Sequence, residues 1–186
     1  MKNFDINSYI YTPLFCEENI WKLIETLYLN KTVNPIDVLF IINRSSSIAI
    51  FNQKRCINQQ PVIWDYHVIL TAHIENSTVV FDFDSKCKFP VNIKKYFNDT
   101  FPVTVNLNES YIPMIKVIKA EYYLKHFHSD RQHMKGLIKS HEYPNYKIIT
   151  PESKFEKLSL DNCLDIDNLK YNSIIIKPED YLTLIN

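Results

Sequence analysis

Pro61-Val62-Ile63-Trp64-Asp65-Tyr66-His67-Val68-Ile69-Leu70 is the stretch that decides how this chain folds. It is an apolar run in which a carboxylate, Asp65, and an imidazole, His67, are out of place unless they have work to do. From Val62 to Ile74 the pattern suits one long β-strand, with His67, Ile69 and Thr71 on one face and Tyr66, Val68 and Leu70 on the other. Simple alternation puts Asp65 on the face of His67. Glu75-Asn76-Ser77 turns the chain, and Thr78 to Phe83 returns as the neighbouring strand. Across an antiparallel pair, opposed side chains touch, so register decides whether His67 meets Asp82. A turn spanning His73 to Asn76 places the two opposite each other; a turn centred on Asn76 pairs His67 with Ser85 instead. Asp84 lies on the same face as Asp82 and competes with it.

Upstream of this hairpin, Cys16 to Leu29 reads as a helix, because apolar residues at 20, 23, 24, 27 and 28 follow the 3.6-residue period. Glu17 and Glu18 occupy its first turn, where the helix dipole favours carboxylates. Cys16 falls near the start of the inward stripe, a position that lowers a thiol pKa and favours the thiolate. Asn30 to Pro35 reads as a turn. Val38 to Ile42 reads as a buried strand that forms a hairpin with Ile48 to Phe51. Further on, a short helix is expected at Ile93–Phe97, a strand at Met114–Ile118 and a helix at Ala120–Phe127. A late strand at Ile174–Ile176 precedes a terminal helix from Pro178 to Leu184, with proline in its first turn. Residues 136–172 are the least patterned. No internal repeat and no linker divides the chain, so one α/β (α+β) domain over 1–186 is expected, mainly an antiparallel sheet flanked by helices.

The totals exclude several classes of function. Lys+Arg and Asp+Glu are equal at 21 each, so no global field steers the chain toward nucleic acid or an anionic membrane. Gly136 is the only glycine, which rules out the multi-glycine phosphate loops of the Rossmann and Walker types. No stretch approaches 18 apolar residues, the length of a membrane span. The cysteines, Cys16, Cys56, Cys87 and Cys163, are widely separated and form no C-x-x-C pair. Met1-Lys2-Asn3-Phe4-Asp5 leads into no apolar leader, so free thiols in a reducing, cytoplasmic setting (or also a nuclear one) are expected. No cluster of ligands suggests zinc, and no metal or cofactor is expected.

In chain order Cys16, His67 and Asp82 are the residue types that thiol-based acyl transfer requires. A carboxylate on one imidazole nitrogen fixes the tautomer and leaves the other nitrogen to act on a thiol. The plainer alternatives are a buried structural cysteine and a core histidine. Asp130, Arg131 and His133 form a second polar group, read first as a solvated ion-pair loop and second as direct participants in catalysis.

These residues resemble a known family. Tyr11-Thr12-Pro13-Leu14-Phe15-Cys16-Glu17-Glu18-Asn19-Ile20-Trp21-Lys22-Leu23 is similar to the "YCEENIWKL" segment of protein N-terminal glutamine amidohydrolases. Pro61 to Val68 matches that family's "PVxWDYHV" signature, Phe81-Asp82-Phe83-Asp84 its "YDLD", and Ser129 to Lys135 its "SDRSHMK". Asn43 and Gln53-Lys54 fall where the family has "SNE" and "WxQ". The departures come mostly late: the proline-rich "PPPPYP" survives only as His141 to Tyr146, and "GWG" is missing around Asn172-Ser173.

The resemblance implies a papain/transglutaminase-like cysteine-hydrolase core with Cys16, His67 and Asp82 as catalytic triad. It implies hydrolysis of the side-chain amide of N-terminal glutamine, feeding the N-degron pathway, by a cytoplasmic monomer. Its partners would be proteins or peptides with N-terminal Gln, with no nucleic acid and no membrane. Selectivity for an N-terminus requires an acceptor for the α-ammonium, because an unpaired buried ammonium is costly. Glu18 and Asp65 are the candidates, with Asp84 behind them; Trp64 and Gln53 complete the expected substrate-binding set. The rival readings are a transglutaminase-like or papain-like hydrolase of other substrates and a non-catalytic reader of N-terminal Gln.

Overall fold

The computed structural model describes residues 4–31, 33–151, 156–171 and 173–185. Met1 to Asn3, Thr32 of the expected Asn30–Pro35 turn, and Asn172 lie outside them. In chain order the elements are α1 (Cys16–Asn30), β1 (Asn34–Ile42), β2 (Ile48–Ile50), β3 (Val62–Trp64), β4 (His67–Ile74), β5 (Ser77–Phe81) and β6 (Val91–Asn92). There follow α2 (Ile93–Thr100), β7 (Met114–Lys119), α3 (Ala120–His126), β8 (Phe127–His128), β9 (Leu158–Ser159), α4 (Leu160–Leu164), β10 (Ile174–Ile176) and α5 (Pro178–Leu184).

Six strands form one sheet in the order β10-β7-β1-β4-β5-β6, with every neighbouring pair antiparallel. The central strands carry the β-branched runs that suit burial on both faces. Alternate residues feed two separate cores. Val38, Phe40, Val68 and Leu70 pack with Ile20, Leu23 and Leu27 of α1 and Tyr123 of α3. Leu39, Ile41, Ile69 and Val80 point the other way, against Tyr96 and Phe97 of α2 and Tyr181 of α5. The period-2 reading of the 62–74 segment therefore holds within β4.

Three expectations give way. The long 62–74 strand is broken at Asp65-Tyr66, so alternation no longer places Asp65 with His67; Asp65 is exposed. The Val38–Phe51 hairpin does not form. Both edges of β1 are taken by β4 and β7, whose long registers leave β2 no partner there, and β2 pairs with β3 in a two-stranded sheet. The Asn43 amide holds the intervening loop, donating to the carbonyls of Ser47 and Ser110 at 2.8 Å each. Finally, β1 begins at Asn34, so Pro35 lies in the strand beside an irregularity in its register rather than in a turn.

Register matters most at the β4–β5 hairpin. Ile74 pairs with Ser77 across a two-residue connection, Glu75-Asn76, and Leu70 pairs with Phe81. Glu75 has a φ of 53°, the left-handed conformation that such a tight turn needs. This register is neither of the two anticipated. The ladder ends at Phe81, and the segment beyond is free of strand pairing when it reaches His67.

Candidate active site

Cys16 is the first residue of α1. Leu14, just before it, has a φ of 69°, an uncommon conformation for leucine, and this turns the chain so that Phe15 is buried at the helix cap. The Asn19 side chain clamps the approach: its amide donates to the Thr12 carbonyl and its oxygen accepts from the Thr12 amide, both at 2.8 Å. The start of α1 is thus fixed to the segment before it.

The thiol of Cys16 stands at the start of the helix that packs on β4, and the backbone N–H of Val68, the residue after His67, favours its thiolate. Its pKa is raised well above the ordinary thiol value, first by burial, then by the charge of Glu17, with Asp84 and Asp65 adding to the effect. The expected lowering by the helix N-terminus is therefore outweighed. Desolvation and nearby carboxylates oppose the thiolate more strongly than the first-turn amides favour it.

His67 is buried, and its Nε2 stands 2.9 Å from Oδ1 of Asp82. Asp82 also accepts from the Tyr96 hydroxyl at 2.7 Å and the Gln53 amide at 3.1 Å, both on Oδ2, and from the Asp84 backbone N–H at 2.9 Å. Burial alone would raise its pKa, but the His67 charge and these donors hold it down at about 2. Burial pushes His67 toward the neutral form, yet the Asp82 carboxylate outweighs it and the net shift is upward. With Nε2 committed to Asp82, Nδ1 is left buried and, among the described residues, without a hydrogen-bond partner. Trp64 stacks on the imidazole, ring centroids 5.6 Å apart and planes 17° from parallel, so the ring's orientation is set from a second side.

The other expected residues sort differently. Gln53, expected at the substrate, is fully buried and supports Asp82 instead. Glu18, expected to receive an ammonium, is fully buried with both oxygens occupied. Arg131 donates to them from Nε and Nη2 at 2.8 Å each, and Ser129 donates at 2.6 Å. The loop read as solvated is thus pinned to α1 through a buried ion pair, which carries His133 toward the site. Asp65 accepts from the Tyr66 backbone N–H, and Asp84 accepts from the Tyr11 hydroxyl at 2.7 Å.

Glu17 is the unexpected member. It is fully buried, its Oε2 accepts from the Tyr66 hydroxyl at 3.0 Å, and Cys16 Sγ stands 3.7 Å from the same oxygen. Burial raises its pKa to about 7. Its first-turn position and its neighbour Cys16 were visible in the sequence, but nothing there indicated burial. Neither Tyr96, within the expected 93–97 helix, nor Tyr11, at the start of the family-like segment, was singled out as a site residue. Among the described residues, His67, Asp82 and Asp84 are the group whose atoms converge closely enough, within 4.8 Å, to hold a metal ion. His67 and Asp82 are already bonded to each other, so a cation there would have to displace that bond.

A family model described as N-terminal glutamine amidase matches residues 11–181. A protein of Danio rerio named protein N-terminal glutamine amidohydrolase is 34% identical over 165 residues, 87% of this chain and 81% of that protein. Proteins of the same name from Bos taurus and Homo sapiens are each 32% identical, covering 91% and 85% of this chain and 84% and 78% of theirs. With the matched segment running from just before the helix of Cys16 into the last helix, this chain belongs to the N-terminal glutamine amidase family.

Proposed function

We propose that this protein hydrolyses the side-chain amide of an N-terminal glutamine to glutamate and ammonia, with Cys16 as nucleophile, His67 as acid–base and Asp82 as its positioning carboxylate. The observation that carries this reading is the buried His67–Asp82 pair, whose remaining imidazole nitrogen has no partner among the described residues, on the strand against which the helix opened by Cys16 packs. Family membership supports the same substrate class.

Nδ1 of His67 takes the Cys16 proton as the sulfur attacks the glutamine side-chain carbonyl carbon. The negative oxygen that forms lies at the start of α1, where first-turn N–H groups lack intrahelical acceptors. Collapse breaks the C–N bond; Nδ1–H delivers its proton to the nitrogen, and ammonia leaves a γ-glutamyl thioester. Nδ1 then removes a proton from water, which attacks the thioester carbon. The C–S bond breaks, and the sulfur recovers the proton. Asp82 holds Nε2–H throughout and stabilises the imidazolium that forms twice per cycle.

A cysteine opening a helix and a histidine on an antiparallel strand support a papain/transglutaminase-like core. The product carries an N-terminal glutamate, which fits a role ahead of N-degron recognition for a monomer in the cytoplasm or nucleus. The test is ammonia release from a short Gln-initiated peptide, with its N-acetylated copy and Cys16→Ala as controls. Release from the free-amine peptide, abolished by Cys16→Ala, is the expected result. No release from the folded protein would sink the enzyme reading and favour a non-catalytic reader.

A further inference from the structure

Resting on that reading, we infer that Glu17 is the group that senses the substrate's α-ammonium, and that it couples this recognition to the reactivity of Cys16. The sequence expectations placed the ammonium on Glu18 or Asp65, but Glu18 has both oxygens occupied and Asp65 is exposed. Glu17 is different: it is fully buried, and its Oε1 has no hydrogen-bond partner among the described residues. Among the described residues the His133 imidazole approaches that oxygen, at 3.5 Å, and the His133 side chain is 24% exposed. On this inference the ammonium approaches the carboxylate from that side.

The distances suit one substrate residue. In glutamine four bonds separate the α-nitrogen from the side-chain carbonyl carbon, so the two lie at most about 5 Å apart. A carbonyl carbon in attack position sits roughly 3–3.5 Å from the sulfur. Glu17 Oε2 is itself 3.7 Å from that sulfur. One bound glutamine can therefore present its amide to Cys16 and its ammonium to Glu17 together.

The coupling follows from charge. In the free protein Glu17 borders the thiol, and in its ionised form it disfavours the thiolate. Pairing with an ammonium neutralises that field at the moment the substrate carbonyl arrives. An acetylated or internal glutamine leaves the field in place, so it is discriminated against in the chemical step as well as in binding. Among the described residues the groups facing Glu17 are Cys16 and Glu18 of its own helix, Tyr66 before β4, Arg131 and His133 of the 129–134 loop, Tyr123 of α3, Tyr146, and Cys163 of α4. Of these only His133 and Arg131 can carry positive charge. Burial keeps His133 toward neutral, and Arg131 is engaged by Glu18.

The test uses the full chain and Glu17→Gln. Alkylation of Cys16 by iodoacetamide, followed by mass spectrometry against pH, should show its midpoint at lower pH in Glu17→Gln. Ammonia release should show the preference for a free-amine over an N-acetylated Gln peptide falling at least tenfold. A measurement on the unaltered protein guards against a variant that does not fold. A peptide with hydrogen in place of the α-amine should lose at least tenfold in kcat, whereas simple anchoring would move KM alone. Retained release with unchanged preference in Glu17→Gln, or a desamino peptide with full kcat, would overturn the inference alone. Release from no peptide at all would overturn the amidase reading and this one with it.

Discussion

Asp82 Oδ1 and His67 Nε2 meet at 2.9 Å although the β4–β5 ladder ends one residue before Asp82. The carboxylate is held there by Tyr96, Gln53 and the Asp84 amide rather than by strand pairing. Asp82→Asn keeps the shape but removes the charge that fixes the tautomer and stabilises the imidazolium. We expect kcat for ammonia release to fall on the order of 10³- to 10⁴-fold with KM little changed. The acid limb of the pH profile should also move to lower pH, because the charge that raises His67 is gone. A profile unchanged in position would argue against the pairing as the source of the raised value.

The same carboxylate gives the fold an acid-sensitive component. Asp82 is held at about 2, against an ordinary 3.8. A depressed carboxylate contributes stability that is present above the unfolded value and lost as pH falls through the folded one. The contribution is on the order of 2 kcal/mol. Urea unfolding from pH 5 down to pH 2 should show it, and Asp82→Asn should flatten that part of the curve.

Glu17 should act in the opposite sense. Its ordinary value of 4.5 is raised to about 7 by burial. The folded state then holds a proton that the unfolded chain has released, so stability falls as pH rises from about 4.5 to 7. The loss is on the order of 3 kcal/mol. Glu17→Gln removes the titration and should be the more stable protein at pH 8, as read by thermal unfolding. Equal dependence of the two proteins on pH would contradict the assignment.

Glu18 and Arg131 form a buried pair, with side-chain exposures of 0% and 10%. Truncating one partner strands the other, so Glu18→Ala should destabilise by about 3–5 kcal/mol. It should also release the loop that carries His133. Double-mutant analysis with Arg131→Ala would give a large coupling between the two positions; simple additivity would show the pair to be inert.

The sequence by itself determined the secondary elements with strong periodicity: the amphipathic helix from Cys16, the apolar strand at 38–42 and the alternation from His67 onward. It also pointed to the proposed chemistry, because Cys16, the "WDYHV" stretch and Asp82 are a set whose types and order were legible through family resemblance. Local pattern carried this much because burial of one helical stripe or one strand face is written in nearest-neighbour spacing.

Only the tertiary structure decided which acids do what. Glu17 and Glu18 are adjacent and look alike in the chain. One is neutralised by Arg131, 113 residues away, and the other is left with an unpartnered oxygen beside the thiol. Gln53 moved from expected substrate contact to Asp82 support for the same reason. The thiol pKa, expected to be low, is high because burial and several carboxylates from separate segments converge on it. Desolvation and electrostatics depend on what folds against a group, and no local pattern encodes that.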